Sequence, residues 1–382
     1  MAGSVWWNGQ CLRRQGSDRI KEAGGSVKGR ACVIGAGPNG LAAAIVLAQA
    51  GMKVEVFEAE AQPGGAARTM ELTLPGFKHD FGSAVHPLGV GSPFFRSLPL
   101  EQHGLQWIHS PAPAAHPLDG GTAVTLERDL STAEDWLGSD GPAWRELMKP
   151  FADRWDDLSK AVLAPIRVPR HPLLMASFGL SGIASARVLV RRFKHDRTKA
   201  LFAGVAGHSI LPLEEALSSA FGILLSVAGH AVGWPIPRGG SQSLTNALIA
   251  ELKSLGGEVR TSARVESLAA LSSYDLIMCD VTPRQLLTMA DAQLSPEYKH
   301  KLERFEYGPG VFKVDYALSE PIPWRAQGCL RAATVHLGGS FAEIAESEAA
   351  MCNDKHAERP FVLLAQQSLF DSTRAPEKKH TA

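Results

Sequence analysis

Residues 31–58 read ACVIGAGPNGLAAAIVLAQAGMKVEVFE, and this stretch decides the fold. Ala31-Cys32-Val33-Ile34 is a short apolar run of the kind buried on both faces of a parallel sheet. Gly35-Ala36-Gly37-Pro38-Asn39-Gly40 follows. Residues 41–50 are rich in strong helix formers, and Gly51 stands where a helix C-terminus wants a glycine. Residues 53–57 then alternate polar and apolar, as a second strand would. Together they read as one βαβ unit.

The three glycines have separate reasons. Gly35 permits the tight turn, Gly37 lets the backbone approach a pyrophosphate, and Gly40 allows the helix to pack closely on the strand. Pro38 and Asn39 open the helix, whose free N–H groups and positive dipole end favour phosphate. Glu58 closes the second strand 18 residues after Gly40. A carboxylate there accepts hydrogen bonds from ribose hydroxyls and repels a 2′-phosphate, which disfavours NADP. Strand, glycine loop, helix and acid in that order point to a dinucleotide.

Six residues beyond Glu58 a second glycine element begins, Gly64-Gly65-Ala66-Ala67-Arg68. Paired glycines bring backbone close to a bulky ligand, and an arginine pairs with phosphate. Its place directly after the ribose acid favours FAD over NAD.

The stretches VIGAGPNGLAAAIVLAQAG and VEVFEAEAQPGGAARTMELTLPGFKHDFGSAVHP resemble the phytoene-desaturase-like, FAD-dependent flavoproteins. The resemblance extends to Pro237-Arg238-Gly239-Gly240-Ser241, to the helix after it, and to the region of Val265. It implies FAD as cofactor, held by Gly35, Gly37, Pro38, Asn39, Gly40, Glu58, Gly64, Gly65 and Arg68, with Val265 meeting the adenine through its backbone. It implies oxidation, desaturation or isomerisation of a substrate. Cys279-Asp280-Val281-Thr282-Pro283 is similar to the short Thr-Pro element that lies near the flavin in such proteins. They also carry a further glycine-rich segment beyond the point that matches residue 382. The resemblance therefore implies a chain that stops short of the family pattern, with a non-catalytic fragment or binding protein as the alternative to an enzyme.

The expected class is α/β, a Rossmann-like nucleotide domain with an inserted helix-rich substrate domain. Residues 27–92 and 237–310 form the first, and 93–236 with 311–382 the second. In the insert, 144–158 and 184–193 carry helical patterns broken by Pro165, Pro169, Pro172 and Pro212. Leu244, Leu248, Leu252 and Leu255 recur at helical spacing and end at Gly256-Gly257. Short strands are expected at 258–260 and 265–268, a buried strand at 274–279, and further strands within 311–318 and 361–369.

Residues 216–234 hold no charge but are diluted by serine and glycine. A membrane span needs about 20 predominantly apolar residues. A buried helix or the wall of an apolar pocket is the better reading, with peripheral membrane contact as the other. The apolar insert points to a small apolar substrate.

Composition narrows the rest. The 39 basic and 39 acidic residues cancel, which gives no electrostatic footprint for nucleic acid. Five cysteines at wide spacing, with no CxxC, argue against a disulfide framework and a zinc site and fit the cytoplasm. Residues 1–26 read as a disordered leader. Arg13, Arg14, Arg19 and Lys21 outnumber Asp18 and Glu22 there, so a mitochondrial targeting segment is the alternative. No metal spacing and no Gly-x-Ser-x-Gly elbow is present. His79, Asp80 and His86 follow Arg68 closely enough to reach a flavin, but the simpler reading has Asp80 holding the loop and the histidines structural. His208 and His230 read as satisfied core histidines, and Asp156-Asp157 as a solvated helix face. No catalytic residue stands out.

Overall fold

The structure is a computed structural model that describes residues 29–165 and 168–382. The leader expected over 1–26 lies outside the described residues. Strand β1 (Arg30–Ile34) keeps Ala31, Cys32 and Val33 fully buried. The chain turns at Gly35 into helix α1 (Pro38–Gln49), with proline in its first turn, where a missing N–H costs nothing. Past the helix end Gly51 takes the left-handed conformation at φ 92°. Strand β2 (Lys53–Phe57) returns parallel to β1.

The insert is not all helix. A hairpin of β3 (Ala114–Leu118) and β4 (Thr122–Leu126) precedes its longer helices. Its turn signal is Asp119-Gly120-Gly121 between the two runs, and both glycines have positive φ. The helical pattern over 144–158 divides into α2 (Gly141–Ala152) and α3 (Trp155–Val162). Next comes α4 (Pro172–Gly182). The expected helix over 184–193 shrinks to one turn at Ala186–Leu189 and a 3-10 turn at Val190–Arg192. Helices α5 (Asp196–Ala206) and α6 (Ser218–Ala231) complete the insert.

Helix α6 is the charge-free stretch, and it is a core helix: Ile223, Val227 and Ala228 are fully buried. The residues that dilute its hydrophobicity are contact points. Any Cβ at Gly222 would fall 2.5 Å from the Phe202 ring. Among the described residues no single helix is long and apolar enough to cross a membrane.

The chain then re-enters the first sheet through α7 (Gln242–Ser254), β5 (Glu258–Arg260) and β6 (Leu276–Cys279). The sheet is parallel throughout, in the order β6-β1-β2-β5. Leu41, Ala44 and Ile45 of α1 pack with Leu244, Leu248 and Leu252 of α7, each almost or wholly buried. At roughly 1.5–3 kcal/mol per buried aliphatic side chain, this contact fixes α1 against the sheet.

Three strand expectations need correction. Strand β6 is an edge strand, so it is half-buried rather than buried, and Met278 is 37% exposed. Residues 265–268 form no strand. There the Ser262 and Ala263 N–H groups bond back to the Glu60 and Glu58 carbonyls, which bends the chain around the end of β2. A 3-10 turn (Leu268–Leu271) follows, capped by the Ser267 hydroxyl. Within 311–318 only Ala317–Leu318 is strand, paired with His380–Thr381. The 361–369 pattern yields β8 (Val362–Ala365), after β7 (Thr334–Leu337) and helix α8 (Phe341–Cys352). A second sheet, β8-β7-β3-β4, joins the hairpin of the insert to this late segment.

Candidate functional site

The glycine loop sits at the carboxyl end of β1, where open parallel sheets place their ligands. Gly35 has φ 106°, which a side chain would strain. A Cβ on Gly40 would fall 2.1 Å from the Gly35 carbonyl oxygen, so α1 touches the strand there. Helix α1 has no side-chain cap and no acid in its first turn. Asn39 follows Pro38 in the first turn of this N-terminus, whose free N–H groups suit a phosphate.

Two carboxylates hold the loop. Glu58, directly after β2 and 9% exposed, accepts the Ala36 N–H at 2.9 Å on one oxygen and the Glu60 N–H at 3.0 Å on the other. Each oxygen keeps a second lone pair for a ribose hydroxyl. Asp280, directly after β6, accepts the Gly40 N–H at 2.7 Å. Asp280 is exposed as a residue, but its carboxylate is partly buried against Gly40. That burial raises its pKa, and the neighbouring Glu58 charge adds to the rise, against the Gly40 hydrogen bond. The sequence places Asp280 in the 279–283 element but gives its carboxylate no role. Its signal is an acid at the carboxyl end of a strand that pairs with β1.

The second glycine element lies against the first. A Cβ on Gly65, at φ 54°, would stand 3.4 Å from the Gly37 Cα. On the other side, Thr245 of α7 donates to the Ala67 carbonyl at 2.9 Å and leaves no room for a side chain at Gly64. Arg68 is fixed by its own loop: Nε donates to the Gly65 carbonyl at 2.9 Å, and the guanidinium stacks on Phe81 at 4.4 Å. Among the described residues no carboxylate pairs with it. Val265 follows two residues after Ala263, whose N–H donates to the Glu58 carbonyl at 2.8 Å. It is half-buried in the loop behind β2, packed with Cys32, Ile34, Leu268 and Leu271.

Behind the cradle stands a clamp that no sequence motif announces. Asp80 accepts the Thr69 hydroxyl at 2.7 Å, the Ser241 N–H at 2.8 Å and the Arg374 guanidinium. The Asp80 and Arg374 side chains are both fully buried. Asp371 accepts the Gly239 N–H at 2.7 Å. The late segment thus closes on the loop at 237–241. Asp80 does hold its loop by hydrogen bonds. His86 bonds the Ser241 hydroxyl at 2.8 Å, and burial brings its pKa down to about 4. His79 bonds the Thr73 hydroxyl at 2.8 Å. No local pattern marks Arg374 or Asp371.

The insert holds further neutral histidines. His230 accepts the Trp144 indole N–H at 3.0 Å, and burial lowers its pKa to about 4. The His208 and His336 rings meet at 3.0 Å, and burial pushes both down. Asp156 and Asp157 lie on the surface and pair with Arg96 and Arg154.

Two clefts open near these elements. One of about 840 Å³ runs between Leu100, Trp107, Arg128, Asp156 and Val232, away from the glycine loop. Its charged groups largely answer one another, as Arg96 does Asp156. The other, about 310 Å³, is lined by Thr69, Lys78, Gly239 and Asn246 beside the second glycine element. The glycine loop, not the larger cleft, offers the chemistry that a nucleotide needs.

Comparison with known proteins bears on the fold that carries this loop. Residues 33–98 match the model of an NAD(P)-binding Rossmann-like domain. The chain is 28% identical, over 74% of its length, to pyridine nucleotide-disulfide oxidoreductase domain-containing protein 2 of Mus musculus, covering 56% of that protein. It is 32% identical, over 35% of its length, to a limonene dehydrogenase polypeptide of Castellaniella defragrans, covering 24% of it. The chain spans about half the length of the curated relatives it matches first. Among solved structures, an oxidoreductase from Methanosarcina mazei superposes with TM-score 0.59 at 18% identity, over 92% of this chain and 77% of that one. A putrescine oxidase variant gives 0.54 at 18% identity, over 93% and 74%. These likenesses establish a Rossmann-like α/β fold.

Proposed function

We propose that the chain is the nucleotide-binding part of an FAD-dependent oxidoreductase acting on a small apolar substrate. One observation carries the reading: the Gly64-Gly65 turn packs on Gly37, so two glycine surfaces and the Glu58 carboxylate border one cradle. Gly35, Gly37, Pro38, Asn39 and Gly40 would receive the pyrophosphate, Glu58 the ribose, and Gly64, Gly65 and Arg68 the far side of the dinucleotide. Val265 would meet the adenine only through its backbone, because its side chain is turned into the core. A bound flavin supplies a two-electron acceptor for hydride from a substrate C–H bond. The protein's part is to hold and orient it. The apolar helices α4 and α6 of the insert, and the name limonene dehydrogenase on one relative, support an apolar substrate.

The second reading is NAD at the same loop, which the Rossmann match equally allows. The visible absorption spectrum of protein incubated with FAD and desalted separates the two. A retained flavin band supports the proposal. A colourless protein that instead binds NAD tightly supports the second reading and ends the first.

A further inference from the structure

Between Asp157 and Asp196 the chain has no acidic residue, although 39 acids are spread over the 382 positions. The same interval holds Lys160, Arg167, Arg170, Arg187, Arg191, Arg192 and Lys194. At its centre lies α4, PLLMASFGLSG, which is uncharged on every side. Such a helix belongs in a core or against lipid. This one is half out of the core: within it only Leu174 and Gly182 are buried. Leu173 is 85% exposed, Leu180 78%, and Val168 just before the helix 90%. Beyond α4 the chain bends by 94° into Ala186–Arg192. Ile183 at that bend accepts the Leu217 N–H, and both side chains are more than half exposed.

We infer that this face docks on an anionic bilayer surface. The apolar side chains would enter the boundary between headgroups and acyl chains, and Arg170, Arg191, Arg192 and Lys194 would meet lipid phosphates. Arg187 is engaged with Glu214, but among the described residues no ion pair holds Arg170, Arg191 or Arg192. A symmetric contact with a second copy is the poorer occupant, because it would set two like-charged patches against each other. The segment lies on the membrane and does not cross it, since neither arm has the length. The inference is independent of the nucleotide site.

The test is co-sedimentation of the 382-residue chain with vesicles of phosphatidylcholine alone, or of phosphatidylcholine mixed with phosphatidylserine. Binding to the mixed vesicles, weakened by salt and at least about tenfold weaker on neutral ones, is the expected result. Leu173→Asp with Leu180→Asp should abolish it, and both positions already face water, so the melting temperature should hold. Arg191→Gln with Arg192→Gln should weaken it by about fivefold per arginine, and serves if the leucine pair fails to fold. Equal binding to both vesicle types, or no binding, overturns the inference. So does self-association in ultracentrifugation that the leucine pair abolishes without any vesicle binding.

Discussion

At the glycine loop, carboxylates meet backbone amides: Glu58 takes the N–H groups of Ala36 and Glu60, and Asp280 that of Gly40. At the clamp behind it, a carboxylate meets a cation: Asp80 takes the guanidinium of Arg374, 294 residues away in sequence. The first arrangement leaves negative charge and free lone pairs beside a helix N-terminus, so it can take up a ligand. The second neutralises its charge and is closed. A binding site and a structural lock are thus made from the same kind of side chain, and the partner decides which results. Glu348 on α8 is a third case, a buried carboxylate with one oxygen unpartnered, and burial pushes it up to about 7.

The comparison breaks most visibly at the lock. Arg374→Met should strand the Asp80 charge in the core and cost about 3–5 kcal/mol in denaturant unfolding. Adding Asp80→Asn should recover much of that loss. If the single variant unfolds like the native chain, Asp80 and Arg374 do not lock the late segment to the loop.

At the cradle the expected effect is smaller and appears in binding. Glu58→Gln replaces a charged acceptor by a neutral one. It should weaken FAD by roughly tenfold or more, within the 1.5–3 kcal/mol of a hydrogen bond to a charged group. Fluorescence titration measures this, and unchanged affinity would remove Glu58 from the ribose.

Asp280→Asn should act in the opposite direction. It keeps an acceptor for the Gly40 N–H and removes a negative charge near the phosphates. Tighter FAD binding by a few-fold is expected, on the order of 1 kcal/mol for a partly buried carboxylate. With Asp280 intact, affinity should rise as the pH falls through its raised pKa, and the variant should flatten that dependence. Weaker binding in the variant would show Asp280 to be a ligand of the nucleotide.

The last effect concerns Glu348 and is seen only as a pH dependence. Between its ordinary 4.5 and about 7, the folded chain holds a proton that the unfolded chain has released. Stability should therefore fall as pH rises through that window, and Glu348→Gln should flatten the fall in melts at several pH values. An unaltered pH profile would mean that Glu348 finds a partner in solution.

How far such features can be read from sequence depends on how locally they are encoded. Gly35, Gly37, Gly40 and Glu58 are readable because turn, close approach and ribose acid are all set within one βαβ unit. Asp280 is half legible: its strand can be read, but its pairing with β1 cannot. Arg374 carries no signal, because its partner is set by the path of the whole chain. Residues 265–268 look apolar enough for a strand, yet the hydrogen bonds of Ser262 and Ala263 to the end of β2 turn the chain aside. The hairpin at 114–126 has a turn signal that the helical patterns beyond it overshadow.

Two uncharged apolar stretches give the sharpest measure. Composition singles out 216–234 as the one with a bearing on membranes, and the fold buries it as α6 while leaving α4 half in solvent. By itself the sequence determined the βαβ unit, its dinucleotide loop and the acid that ends it, because steric and helix-terminus requirements act over a few residues. Which carboxylate is locked, which is free for a ligand and which apolar helix faces water was decided only by the tertiary structure. Burial and pairing belong to neighbours in space, and the chain supplies those from hundreds of residues away.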